Sequence, residues 1–136
     1  EYALATYGLI PERVELLTSV STQKNKLFTT PIGSFSYQHL ATSLYPLGIT
    51  FKKNDDGRSF LIATPEKALM DIFSLRFSNS ALPAKIDLRQ ALEDDLRINL
   101  TEAKKIIRVE TLHQLRPHYK RRQWNKLLID FLLEIL

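Results

Sequence analysis

The chain has no cysteine, and that single absence removes disulfides, thiolate metal sites and cysteine nucleophiles together. Glycine is scarce, four in 136 residues, too few for a phosphate-cradling loop, and neither a Walker pattern nor a dinucleotide fingerprint occurs. No apolar run approaches the ~20 residues of a membrane helix and no signal peptide opens the chain, so a cytoplasmic protein without membrane contact is expected. Internal repeats are missing, which excludes a solenoid. What remains is the composition of an ordinary globular domain, 44% hydrophobic and 25% charged, expected to form one unit across residues 1–136. The chain opens on Glu1 inside a helix-like stretch, Tyr2 to Leu9, so a fragment lacking an amino-terminal part is expected.

Residues 1–9 read as the end of a linker helix, stopped by Gly8 and Pro11. Residues 15–64 read as a sheet. Leu16 to Ser21 and Lys26 to Thr30 are short strands, Pro31 to Gly33 a turn, and Ser34 to Gln38 a third strand with Phe35 and Tyr37 on one face. Ile49 to Lys53 alternates likewise, and Asn54-Asp55-Asp56-Gly57 turns the chain into Arg58 to Ala63. The apolar run in that last strand predicts burial on both faces and a central place in the sheet.

From residue 65 to 136 the pattern is helical. Thr64 is placed to cap a helix, Pro65 suits its first position, and Glu66 faces the positive end of its dipole. That helix runs to about Phe77, with Lys67, Asp71 and Ser74 as a polar stripe. A loop around Pro83 follows. Asp87 caps a second helix to about Asp95, and Thr101 a third to about Val109. Pro117 precedes a last helix from near Lys120, where Trp124, Leu127, Leu128, Phe131, Leu132 and Ile135 keep helical spacing. Strands first and helices after predict an α+β fold, a mainly antiparallel sheet packed by helices.

Reaction chemistry is not indicated. His113 and His118 are five residues apart with a proline between, His39 is remote, and no metal-ligand motif accompanies them. Glu93-Asp94-Asp95 points in different directions along a helix, so a solvated helix end accounts for it better than a metal cluster. No Gly-Xaa-Ser-Xaa-Gly elbow is present. Glu66 and Lys67 beyond a strand have a nuclease-like ring, but capping and an i, i+4 Lys67–Asp71 pair explain them more simply. No catalytic residue, metal ligand or cofactor is assigned, and the chain is expected not to be an enzyme.

Charge is unevenly spread. Residues 1–103 carry eleven Lys/Arg against twelve Asp/Glu, whereas residues 104–126 carry eight against Glu110 alone. The eight are Lys104, Lys105, Arg108, Arg116, Lys120, Arg121, Arg122 and Lys126. Such a block serves an acidic partner, nucleic acid or an acidic protein face, or else is a solvated helix surface. Lys104 with Arg108, and Arg122 with Lys126, share helix faces that suit a phosphate backbone, and helix starts at Thr101 and Pro117 would add N–H donors. No base-reading element accompanies them, so nucleic-acid binding there would be weakly sequence-specific.

Three ordered segments then converge. Tyr7-Gly8-Leu9-Ile10-Pro11-Glu12 closes the first helix. Leu17 to Thr22, Thr30-Pro31-Ile32-Gly33, Phe35-Ser36-Tyr37 and His39 lie in the strands, and Ile62 to Asp71 forms the strand–helix junction. Together they resemble the AbiEi family of antitoxins and transcriptional regulators over about residues 2–77, in the portion carboxy-terminal to its winged helix. The helical remainder resembles the family only in layout. The resemblance implies a domain of a bacterial type IV toxin–antitoxin (abortive infection) system that counters a nucleotidyltransferase-like toxin, generally without a stable complex. It implies promoter DNA as a partner through a winged helix, which is expected to be absent from this stretch. It carries no catalytic residues. The alternative is a general nucleic-acid-binding module of a transcriptional regulator, without antitoxin activity.

Overall fold

A computed structural model describes residues 1–11, 15–77, 87–119 and 121–136. Helix α1 (Tyr2–Thr6) leads into strands β1 (Leu16–Ser21), β2 (Lys26–Thr30), β3 (Gly33–His39), β4 (Ile49–Lys53) and β5 (Ser59–Ala63). Helix α2 (Pro65–Phe77) follows, then α3 (Leu88–Gln90), continued by a wider turn over Ala91–Asp95. Next come α4 (Leu100–Ile106), α5 (Val109–Leu115), a tight turn of helix at Arg116–Tyr119, and α6 (Gln123–Ile135). The fold is α+β, with strands in the first half and helices in the second.

The strands form two sheets rather than one. In the larger, β3 is central: it pairs parallel to β1 and antiparallel to β2. The β1–β2 link therefore has to step over the end of β3. His39 holds it there, its N–H donating to Asn25 Oδ1 at 2.6 Å and its Nδ1 lying 3.2 Å from the Gln23 carbonyl. The smaller sheet is the β4–β5 hairpin, with Phe51 opposite Leu61. Its turn closes through Gly57 N–H to the Asn54 carbonyl at 3.0 Å, with Gly57 at φ +81°. The central position expected for Arg58 to Ala63 is thus corrected. Among the described residues β5 pairs only with β4, and only Ile62 in it is buried. Its apolar run reflects one face toward the core and Leu61 left outside, 61% exposed.

The core belongs to the helices. Leu69, Met70, Ile72 and Phe73 of α2 pack with Leu112 and Leu115 of α5 and with Leu128, Ile129 and Leu132 of α6. Burying each such side chain contributes about 1.5–3 kcal/mol, before the entropy of ordering it. Trp124 stacks on Phe77 at 4.8 Å between ring centres, fastening the start of α6 to the end of α2. At the junction, Thr64 N–H donates to the Gly48 carbonyl at 2.8 Å. Gly48 has φ +58°, and a Cβ on it would stand 2.6 Å from Lys67 Cβ, so this close approach of loop and helix demands glycine.

The first helix ends at Thr6 rather than Leu9, the last starts at Gln123, and both boundaries of α4 differ from the expectation. Asn99, not Thr101, caps α4: its Oδ1 accepts the Glu102 N–H at 3.1 Å. The helix then ends at Ile106, because Ile107 and Arg108 are extended and α5 starts anew at Val109. Asp87 caps α3 as expected, accepting the Gln90 N–H at 3.0 Å. The expected loop around Pro83 lies outside the described residues.

Candidate functional site

Helix α2 is unusual in burying its polar residues along with its apolar ones. Glu66 through Ser74 are all buried. Lys67 Nζ forms an ion pair with the Asp71 carboxylate one turn on, and the Lys67 side chain is only 1% exposed. Burial pushes the Asp71 carboxyl up from its ordinary range, against the attraction of Lys67. Burial likewise pushes the Lys67 ammonium down, against the attraction of Asp71. Loss of solvation therefore outweighs pairing on both sides, the usual balance for an ion pair inside a protein.

The neighbouring groups are consumed in the same way. Glu66 Oε1 accepts the Arg108 backbone N–H at 2.7 Å, tying the start of α2 to the start of α5. A carboxylate between two helix starts is favourably placed for both dipoles. Ser74 Oγ donates to Asn125 Oδ1 at 2.8 Å, and Asn125 Nδ2 donates to the Met70 carbonyl at 2.8 Å. The Tyr119 hydroxyl is buried with no hydrogen-bond partner among the described residues. Burial, with the Asp71 charge behind it, pushes its phenol far up. The i, i+4 pair expected from the sequence is present, but the stripe it belongs to faces the interior. Asn125 was not singled out by the sequence. Its signal was a polar residue three positions before Leu128 and four before Ile129, on the buried side of an otherwise apolar helix.

The basic residues are distributed around the carboxy-terminal helices. Lys104, Lys105, Arg108, Arg116, Arg121 and Lys126 are exposed, and Arg122 is half-buried. Lys120 lies outside the described residues. Lys105 pairs with Glu102 at 2.6 Å and Arg116 with Asp130, both solvent-exposed bridges that hold their cations loosely. Arg108 precedes α5 and Arg116 follows it, about 12 Å apart at 1.5 Å per residue. Arg122 is the residue before α6 rather than part of it, so the expectation that it shares a face of the last helix with Lys126 is corrected. The expected N–H donors at Thr101 and Pro117 are corrected too. Asn99 already occupies the start of α4, and Pro117 sits within the tight turn at Arg116–Tyr119.

His39, His113 and His118 are all exposed, and no group of three metal-ligating side chains converges among the described residues. Among those residues no helix is long and apolar enough to cross a membrane. No protein-family model matches this chain, and neither a curated protein nor a solved structure matches it.

Proposed function

We propose that this chain is a non-enzymatic antitoxin and regulatory domain of a type IV toxin–antitoxin system, opposing a nucleotidyltransferase-like toxin. The observation that carries this reading is the ordered motif set from Tyr7 to Asp71, and its residues have structural work to do. Gly8 takes φ +71° after α1, the Tyr7 hydroxyl donates to the Ala63 carbonyl at 2.9 Å, and Lys67–Asp71 pair inside. Polar residues used this way argue for recognition by surface rather than for chemistry in a cleft.

The surface proposed for recognition is the exposed cationic set Lys104, Lys105, Arg108, Arg116, Arg121 and Lys126, with Arg122 and Lys120 beside them in sequence. Its partner in this reading is nucleic acid or an acidic protein face, and it would assist promoter binding by a winged helix. Co-expression with a nucleotidyltransferase-like toxin of such a system is expected to restore growth. Charge reversal at Lys104, Arg108 and Lys126 is expected to abolish that rescue. Failure to rescue while duplex DNA is still retained would instead favour a general nucleic-acid-binding module. If four side chains touch phosphates, log K against log salt should fall with a slope of about −3.6.

A further inference from the structure

The strands present a second surface, chemically unlike the first. Between Glu15 and Asp55 the chain has no carboxylate side chain, while Lys24, Lys26, Lys52 and Lys53 all fall in that stretch. The pairing register places Leu17, Phe35, Tyr37, Lys26 and Phe28 on one face of the β1–β3–β2 sheet. The opposite face is covered over β1 and β3, where Thr18 Oγ1 accepts the Tyr2 N–H at 3.0 Å and Ser36 is buried, while Leu27 of β2 on that face stays exposed.

On the outward face no described residue is buried. Phe28 stands directly opposite Phe35 on the central strand, and Tyr37 is two positions further along. Phe28 and Tyr37 meet edge to face, 5.9 Å between centres, and are 48% and 36% exposed. Strand geometry spaces neighbours by about 5 Å across the sheet and about 7 Å along it, so three rings share one small platform. At the end of this row Thr22, Gln23, Lys24 and Asn25 of the β1–β2 loop and His39 line an open depression of about 640 Å³.

We propose that the outward face of the β1–β3–β2 sheet binds single-stranded nucleic acid, with Phe28, Phe35 and Tyr37 stacking on bases and Lys24 and Lys26 meeting the phosphates. An aromatic platform flanked by lysine and free of carboxylates matches that ligand in both its parts, the flat apolar base and the anionic backbone. Stacking reads only the π-face that every base has, so RNA and DNA strands bind alike and duplexes, whose bases are already stacked, do not. This surface shares no residue with the carboxy-terminal cations, and its test stands or falls apart from the antitoxin reading.

The experiment is anisotropy with labelled oligouridylate and oligothymidylate on the whole chain, duplex binding being measured beside them. Both strands are expected to bind. Phe28→Ala and Tyr37→Ala should each weaken binding about ten-fold or more, the loss of one base–aromatic stack. Phe28→Tyr, which keeps a ring, should hold affinity within a few-fold. Lys24→Ala with Lys26→Ala should flatten the salt slope by about 1.4, since each single-strand phosphate left without its lysine accounts for about 0.7. Leu61→Ala on the other sheet should change nothing. Absence of binding to either strand overturns the proposal. So does a loss at Leu61 equal to that at Phe28, which would mean unspecific apolar adhesion. A salt slope unchanged in the lysine variant overturns it as well, as does Phe28→Ala altering only self-association in sedimentation.

Discussion

Helix α2 and the strands before it reverse the usual partition of polarity. Within α2, three charged side chains, Glu66, Lys67 and Asp71, lie inside the protein. On the strands, Leu27, Phe51 and Leu61 lie outside at 68%, 74% and 61% exposure. The two departures have different physical standing. A buried charge persists only when something meets it, and each of the three has a partner that ties α2 to itself or to α5. An exposed apolar side chain needs no partner to persist; it marks surface that a second molecule would gain by covering. Polar residues in α2 therefore report on assembly of the fold, and apolar residues on the strands report on what the fold meets.

The hardest test of this contrast is to break the interior pair. Asp71→Asn leaves Lys67 buried without a counter-charge and should cost about 3–5 kcal/mol in urea denaturation, whereas Lys67→Met with Asp71→Leu should be neutral or stabilising. A single variant as stable as the parent would contradict this account of the pair. The same pair has a pH signature. Asp71 holds its proton more tightly folded than at its ordinary value of 3.8, so its own contribution favours folding at low pH and is lost as pH rises through the higher folded value. Asp71→Asn should remove that slope from stability measured against pH.

A smaller effect is expected at Asn125. Replacing it by leucine deprives the Ser74 hydroxyl of its acceptor and should lower stability by about 1–3 kcal/mol, visible as a reduced melting temperature. The smallest effect should come from outside. Phe51→Thr removes a large apolar side chain from the hairpin surface, and its stability change should stay within about 0.5 kcal/mol in the same melts. A loss comparable to that at Asn125 would mean that Phe51 is a structural residue after all.

Features fixed by neighbours in sequence were legible before the structure. The turn at Asn54 to Gly57, the cap at Asp87, the start of α2 at Pro65 and the apolar spacing of α6 all depend on residues within one or two turns. The division into strands and then helices followed from them. Features fixed across the chain were not legible. The parallel pairing of β1 with β3 depends on a loop stepping over His39, and hydrophobicity in β5 says nothing about which strand will lie beside it. At α4 a local signal was present but read two residues too late: Asn99 with Glu102 three residues later is the stronger start, and Thr101 lies just inside it. For the candidate sites, the Lys67–Asp71 spacing was visible but its burial was not, because burial there depends on segments outside α2, the Gly48 loop among them, packing against the helix. Phe35 and Tyr37 were visible as sharing a face. The partner ring at Phe28 came into view only with the register between β2 and β3.

Tyr7 has a mechanical consequence. Its hydroxyl is bonded to the Ala63 carbonyl at the end of β5, and Lys52 Nζ of β4 lies 5.5 Å above its ring. A few residues back, the Tyr2 N–H is bonded to Thr18 on β1. Among the described residues the two sheets exchange no strand pairing, yet both are attached to the same short helix. A torque on α1 is thus shared between them: turning the helix strains the β1 attachment and the hairpin attachment together, and one sheet cannot be reoriented through α1 without loading the other.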